Sequence, residues 1–174
     1  YFFSDNVHVC YLTDLKLISK SIEVQAGSAS KDFNALGFYP TLGAAQSQDS
    51  PYFDWYSFHP WPTDYDAWWG VRTLPAVNEE APTYRDFIVR SQDSVVRHWL
   101  RQGADGWRLD VADELPTAFL EAFAAAMRAC KPDCILLGET WGDAGRLVSA
   151  NRLDSAMNYL FRDAAAAWLA KDAL

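Results

Sequence analysis

Hydrophobic and polar positions divide the chain into an early part without firm periodicity and a later part that switches between two clear periods. Val7, Val9 and Tyr11 alternate weakly, Leu15, Leu17 and Ile18 follow, and no cap or turn signal frames them, so residues 1–29 stay unassigned. From Asp49 to Gly70 aromatic side chains crowd a stretch interrupted by Pro51, Pro60 and Pro62, which excludes a regular amphipathic helix. Its rings, Tyr52, Trp55, Trp61, Trp68 and Trp69 among them, fit two roles: filling a small subdomain core, or lining a cleft where flat ligand faces stack. Past Pro82 the period becomes helical. Tyr84, Ile88, Val95 and Trp99 fall near one face and Gly103 stands where a left-handed cap belongs, which predicts one long helix over 83–101. Gly106 to Val111 alternates with period two, placing Trp107, Leu109 and Val111 on one side of a strand and Arg108 and Asp110 on the other. Pro116 suits the first turn of a second helix, whose Phe119, Phe123 and Met127 share a face before Pro132 stops it. Cys134 to Glu139 is an apolar run ending in an acid, the pattern of a buried parallel strand. A short strand over 153–158 and an Ala-rich helix over 161–171 complete the order βαβαβα, that of a parallel α/β sheet with right-handed crossovers.

Composition narrows the classes of function. With 15 Lys and Arg against 23 Asp and Glu the net charge is −8, and no basic stripe with interleaved aromatics exists to displace counterions, so no nucleic-acid partner is expected. Half of the 174 residues are hydrophobic, enough for one domain with a real core and against disorder. No apolar run approaches the roughly 18 residues needed to span a bilayer, so no membrane partner is expected either. The start, Tyr1-Phe2-Phe3, reads as a cut end rather than a natural one. Cys10, Cys130 and Cys134 lack zinc spacing and read as buried thiols. Their scarcity fits a reducing, cytoplasmic compartment, and neither a metal nor a cofactor is expected.

In parallel α/β folds functional side chains gather at the C-terminal ends of strands, where Asp110 and Glu139 both fall. One crossover unit separates them, so the simplest topology makes their strands neighbours, about 4.8 Å apart. Retaining glycoside hydrolysis needs two carboxyls about 5 to 5.5 Å apart, one ionised and one protonated. Arg108, on the face of Asp110, favours its carboxylate form and marks it as nucleophile; the apolar run before Glu139 predicts a raised pKa and marks it as acid. A structural ion pair between Arg108 and Asp110 fits the same residues. Asn158 and Tyr159 end the third strand, from where the cleft is within reach on a weak signal, whereas His98 reads as a surface or boundary residue; for His59, in the aromatic loop, a bland role is favoured over contact with a sugar hydroxyl.

The run Asp105-Gly106-Trp107-Arg108-Leu109-Asp110-Val111-Ala112-Asp113-Glu114 resembles the strand-4 motif of the alpha-amylase family of retaining glycosidases, glycoside hydrolase family 13. Leu137-Gly138-Glu139-Thr140-Trp141 resembles its strand-5 motif, and Leu74-Pro75-Ala76-Val77-Asn78 the short motif near the end of domain B in the neopullulanase and cyclomaltodextrinase branch. The resemblance covers about residues 31–174. It implies a fragment of a (β/α)8 TIM barrel, about strands 4 to 6 over residues 81–174, preceded by a loop-rich domain B-like region over 30–80. It also implies Asp110 as nucleophile, Glu139 as acid/base, Arg108 as the partner orienting Asp110, and Glu114 and Trp141 as lining of the substrate cleft. Alpha-glucans or maltooligosaccharides are the implied substrates, with a homodimer possible for the full-length protein. Asn78 replaces a calcium-binding Asp of many amylases, so no calcium site is expected. Residues 1–29 contain nothing like the family's strand-3 motif of Asp, Asn and His, and its His-Asp pair after strand 7 would fall beyond Leu174. The isolated chain is therefore expected to be an incomplete, inactive fragment. The alternative is a non-catalytic binding or scaffold protein on the amylase fold, against which the joint presence of Asp110, Glu139 and Arg108 argues.

Overall fold

The computed structural model describes residues 7–13, 16–18, 33 and 42–171. Leu15, the side chain of Cys10 and, apart from Phe33, the first part of the domain B-like region before Leu42 lie outside the described residues. Five strands form one sheet in the order β2-β1-β3-β4-β5. β3 (Gly106–Leu109), β4 (Ile135–Gly138) and β5 (Ser155–Ala156) run parallel, as expected, but turns and an isolated bridge rather than a helix join β4 to β5, so the strict βαβαβα alternation is not kept. Together with their helices they match part of a (β/α)8 barrel. The purely parallel expectation needs one correction: β1 (Val7–Thr13) pairs antiparallel with β3, and β2 (Lys16–Ile18) folds back on β1. This hairpin hydrogen-bonds along the β3 edge, which three parallel strands alone would leave open.

Register fixes the functional ends. Leu109 lies opposite Gly138, so Asp110 and Glu139 are the next residues on adjacent strands. Glu139 N–H donates to the Leu109 carbonyl at 2.8 Å, and Ala112 N–H to the Glu139 carbonyl at 2.8 Å, extending the ladder past both acids. Two glycines permit the pairing. A Cβ on Gly106 would stand 2.0 Å from the Ile135 carbonyl oxygen, and one on Gly138 would stand 2.4 Å from Leu153, itself fully buried.

The alternation expected of β3 is present, with Trp107 and Leu109 buried beneath α3 (Thr117–Cys130). Phe119, Phe123 and Met127 of α3 are buried as the four-residue recurrence predicts, and the Phe123 ring meets Trp107 edge-on at 5.7 Å. Pro116 sits just before α3 rather than within it, its carbonyl accepting from Phe119 and Leu120. Burial pushes the Cys134 thiol up, which leaves it unreactive.

The single helix over 83–101 is replaced by two. α1 (Pro82–Arg85) continues into a wider π-type turn at Asp86–Arg90, the chain extends at Ser91, and α2 (Val95–Arg101) starts afresh. Ser91, Asp93 and Ser94 are weak helix formers, and the break they make is held by Arg97, whose Nη1 donates to the carbonyls of Val89, Arg90 and Ser91 at 2.6, 2.8 and 2.9 Å. The break shifts the buried face: Tyr84 and Ile88 enter the core as expected, but in α2 Val96 and Leu100 are buried in place of Val95 and Trp99, which are half-buried. Gly103, at φ 99, closes α2 as expected, with its N–H on Leu100 and that of Ala104 on Trp99.

Much of the aromatic stretch fills a small core, the first of the two roles that its composition left open. Phe33 meets Tyr56 edge-on at 4.9 Å and Tyr65 at 4.8 Å, while Trp55 packs on Tyr84 and Phe87 and donates to Thr83 Oγ1, tying this layer to α1. Short antiparallel bridges, Tyr56 with Val77 and Ala67 with Pro75, fold the Leu74–Asn78 motif back over it. Asn78 spends its Oδ1 on the Glu80 N–H ahead of α1. Trp69, by contrast, is 63% exposed.

Candidate active site

Three side chains converge at the strand ends. Arg108 lies on the open face of β3; its Nη1 hydrogen-bonds Asp110 Oδ1 and its Nη2 lies 3.1 Å from Glu139 Oε1, so one guanidinium spans both acids. Nη2 also approaches Met157 Sδ at 3.7 Å, on the segment after β5. Glu139 is only 8% exposed and is well provided with donors: Tyr159 Oη donates to its Oε1 at 2.9 Å and Val111 N–H to its Oε2 at 3.5 Å. Val111 reaches that position through a left-handed backbone, φ 42 and ψ 50, unusual for a β-branched residue and costing about 1–3 kcal/mol.

This environment inverts the proton order expected from the sequence. Burial, then a hydrogen bond to Glu139, push the Asp110 carboxyl above the ordinary aspartate range despite Arg108. Burial also pushes Glu139 up, but the Tyr159 hydroxyl, the bond from Asp110, the Arg108 charge and the Val111 N–H together outweigh it and hold Glu139 low. The two carboxyls are thus shifted in opposite directions, Asp110 up and Glu139 down. The correction has a physical reason: the apolar run before Glu139 does dry its surroundings, but the donors that stabilise its charge arrive from β3 and from the start of α4 (Tyr159–Lys171), well away in sequence.

Of the remaining expected residues, Glu114 stays out of this cluster. It sits exposed on a 3-10 turn, Ala112–Glu114, and its Oε1 accepts from Trp69 Nε1 at 2.8 Å. Trp141 follows Glu139 on the open side, 65% exposed, its ring 5.9 Å from that of Tyr159. A cavity of about 290 Å³ lined by Gly142, Asp143, Met157, Asn158 and Leu160 shares Met157 with the site. His59 pairs with Asp66 at 2.8 Å, and His98 lies exposed with its ring edge-on to Trp99. Sequence reasoning pointed to Tyr159 by position alone and passed over Met157 and the Trp69–Glu114 link; an isolated Met carries no signal, and two adjacent Trp do not announce which one faces out. Among the described residues no group of three His, Cys, Asp or Glu is placed to hold a metal ion, and no helix is long and apolar enough to cross a membrane.

Acids paired at the C-terminal ends of neighbouring parallel strands, bridged by one arginine, define an α/β-barrel scaffold with a candidate carboxyl-pair active site. The family model for the alpha amylase catalytic domain matches residues 18–173, and the chain belongs to the alpha-amylase family. It is 36% identical to an amylopullulanase of Thermoanaerobacter thermohydrosulfuricus over 141 residues, covering 74% of this chain and 10% of that protein. It is 34% identical to neopullulanase 2 of Thermoactinomyces vulgaris over 125 residues, covering 68% of this chain and 21% of that one. Among solved structures, the acarbose-soaked debranching enzyme of Nostoc punctiforme superposes with a TM-score of 0.66 at 29% identity, covering 78% of this chain and 29% of the enzyme. The chain therefore spans well under a third of the length of these relatives.

Proposed function

We propose that the chain carries the central part of the active site of a retaining alpha-glucan hydrolase that opens α-glucosidic bonds of starch, pullulan or cyclomaltodextrin type by double displacement. The observation that supports it is the meeting of Asp110 and Glu139 on adjacent strand ends with Arg108 between them. The names of the relatives support the substrate class. Asp110, as carboxylate, attacks the anomeric carbon and forms a glycosyl ester while Glu139 gives its proton to the departing glycosidic oxygen. Glu139 then takes a proton from water, the water oxygen bonds to the anomeric carbon, and the ester bond breaks to return the Asp110 carboxylate. In the free chain Asp110 is shifted up and Glu139 down, and a sugar that seats its electron-poor anomeric carbon on Asp110 favours the ionised form of Asp110 that attack requires. Glu114 and Trp141 line the cleft.

The test follows the anomeric configuration of the first product by proton NMR, using the polypeptide that carries this segment. An α product is expected, and a β product overturns the double displacement. Glu139→Gln is expected to lower kcat by about 10²- to 10⁴-fold. The described residues of the 174-residue chain supply three parallel strands where a barrel has eight, and the isolated chain is expected to be inactive. Reducing sugar released from soluble starch by that chain overturns the expectation.

A further inference from the structure

Trp69 combines features that packing does not explain. Its backbone is left-handed, φ 49 and ψ 27, a conformation that a bulky side chain adopts only where its surroundings impose it. One indole face is covered by Trp68, ring centroids 4.3 Å apart and planes within 13° of parallel, yet the residue remains 63% exposed. The open area is therefore the other face. Its rotation is locked as well: Trp69 Nε1 donates to Glu114 Oε1 at 2.8 Å, joining the aromatic layer to the turn that follows Asp110. Trp68 beneath it is held with its own Nε1 buried and without a partner among the described residues, so the layer keeps a buried N–H unpaired in the geometry that turns the second ring outward.

We infer that the open face of Trp69 is a stacking platform for one glucose ring of an α-glucan, a binding site beside Glu114 that adds to the carboxyl pair. A pyranose ring presents a flat face of C–H groups bounded by hydroxyls, which suits a rigid indole with a carboxylate at its edge. Glu114 keeps its Oε2 for a sugar hydroxyl while Oε1 fixes the indole. Pre-setting the ring removes the ordering cost that a mobile Trp would lose on binding. The chemistry of the ligand rests on the alpha-glucan function proposed above.

Maltoheptaose titrated into the 174-residue chain, followed through the tryptophan indole N–H signals, tests the platform. The Trp69 signal is identified by its loss in Trp69→Phe. Trp69→Gly is the suitable deletion, because glycine adopts the left-handed backbone without strain, and a thermal melt of each variant checks its fold. The Trp69 signal is expected to shift on binding, with Trp69→Gly weakening Kd at least about tenfold and Trp69→Phe weakening it less. An unmoved Trp69 signal at saturation, wild-type affinity in Trp69→Gly, or no maltoheptaose binding by the wild-type chain each overturns the platform. In the polypeptide that carries this segment, binding at Trp69 combined with turnover indifferent to Glu139→Gln removes the hydrolase instead, and turnover that needs Glu139 without a shift at Trp69 does the reverse.

Discussion

Tyr159 and Arg108 pull the Glu139 carboxyl below its ordinary range against the effect of burial. The Tyr159 hydroxyl donates to Glu139 Oε1 and so favours the charged form; Tyr159→Phe removes that donor and keeps the ring. The Glu139 pKa is then expected to rise, read from the carbon-13 carboxyl shift across a pH titration, and a constant or falling value contradicts the assigned hydrogen bond. Asp110 offers the complementary test. Its folded pKa lies above its unfolded one, so the folded chain binds this proton more tightly, and stability is lost as pH rises through the folded value. Asn imitates the protonated form. Asp110→Asn is therefore expected to raise the melting temperature at neutral pH, with the gain vanishing once pH falls below the unfolded carboxylate pKa of about 3.9. A variant less stable than wild type at neutral pH would show that the charge on Asp110 holds the fold together. Of the residues at this site, Asp110, Glu139 and Arg108 were legible from strand period and position; the direction of their coupling was not.

β3 and α1–α2 depend on local devices that a substitution can isolate. Gly106 lies so close to the Ile135 carbonyl that any Cβ forces β3 and β4 apart. Gly106→Ala is expected to cost about 1–3 kcal/mol in urea unfolding, the usual penalty of overpacking, and a neutral result would mean that the ladder shifts freely. Arg97 satisfies three carbonyls at the end of the first helical piece. Arg97→Met keeps much of the aliphatic stem and leaves those carbonyls without their donor, at an expected cost of about 1–3 kcal/mol, with hydrogen exchange accelerating first over residues 86–91. Periodicity located the buried face of the first piece, Tyr84 and Ile88, but placed that of α2 one residue early, on Val95 and Trp99 instead of Val96 and Leu100. The break at Ser91 is the reason: a π-type turn and a restart at Ser94 interrupt the backbone ladder and shift the helical phase.

Across the molecule, the described surface divides unevenly. α4 leaves Phe161 71% and Trp168 65% exposed, together with Leu160 and Leu169, an apolar face larger than isolated surface residues account for. The 174-residue chain is expected to bind a hydrophobic dye such as ANS, and Phe161→Lys with Trp168→Lys to reduce the fluorescence severalfold; unchanged dye binding would place the exposed face elsewhere. The alternation of strands and helices, the acids at the strand ends and the aromatic layer were all readable along the chain, because period, caps and strand ends are set by neighbours a few residues away. The bridging of both acids by Arg108, the opposite shifts of Asp110 and Glu139, the hydroxyl of Tyr159 on Glu139 and the outward face of Trp69 were not. Each arises where segments distant in sequence meet, and electrostatic coupling there depends on ångström-scale distance and on burial, neither of which a linear pattern records.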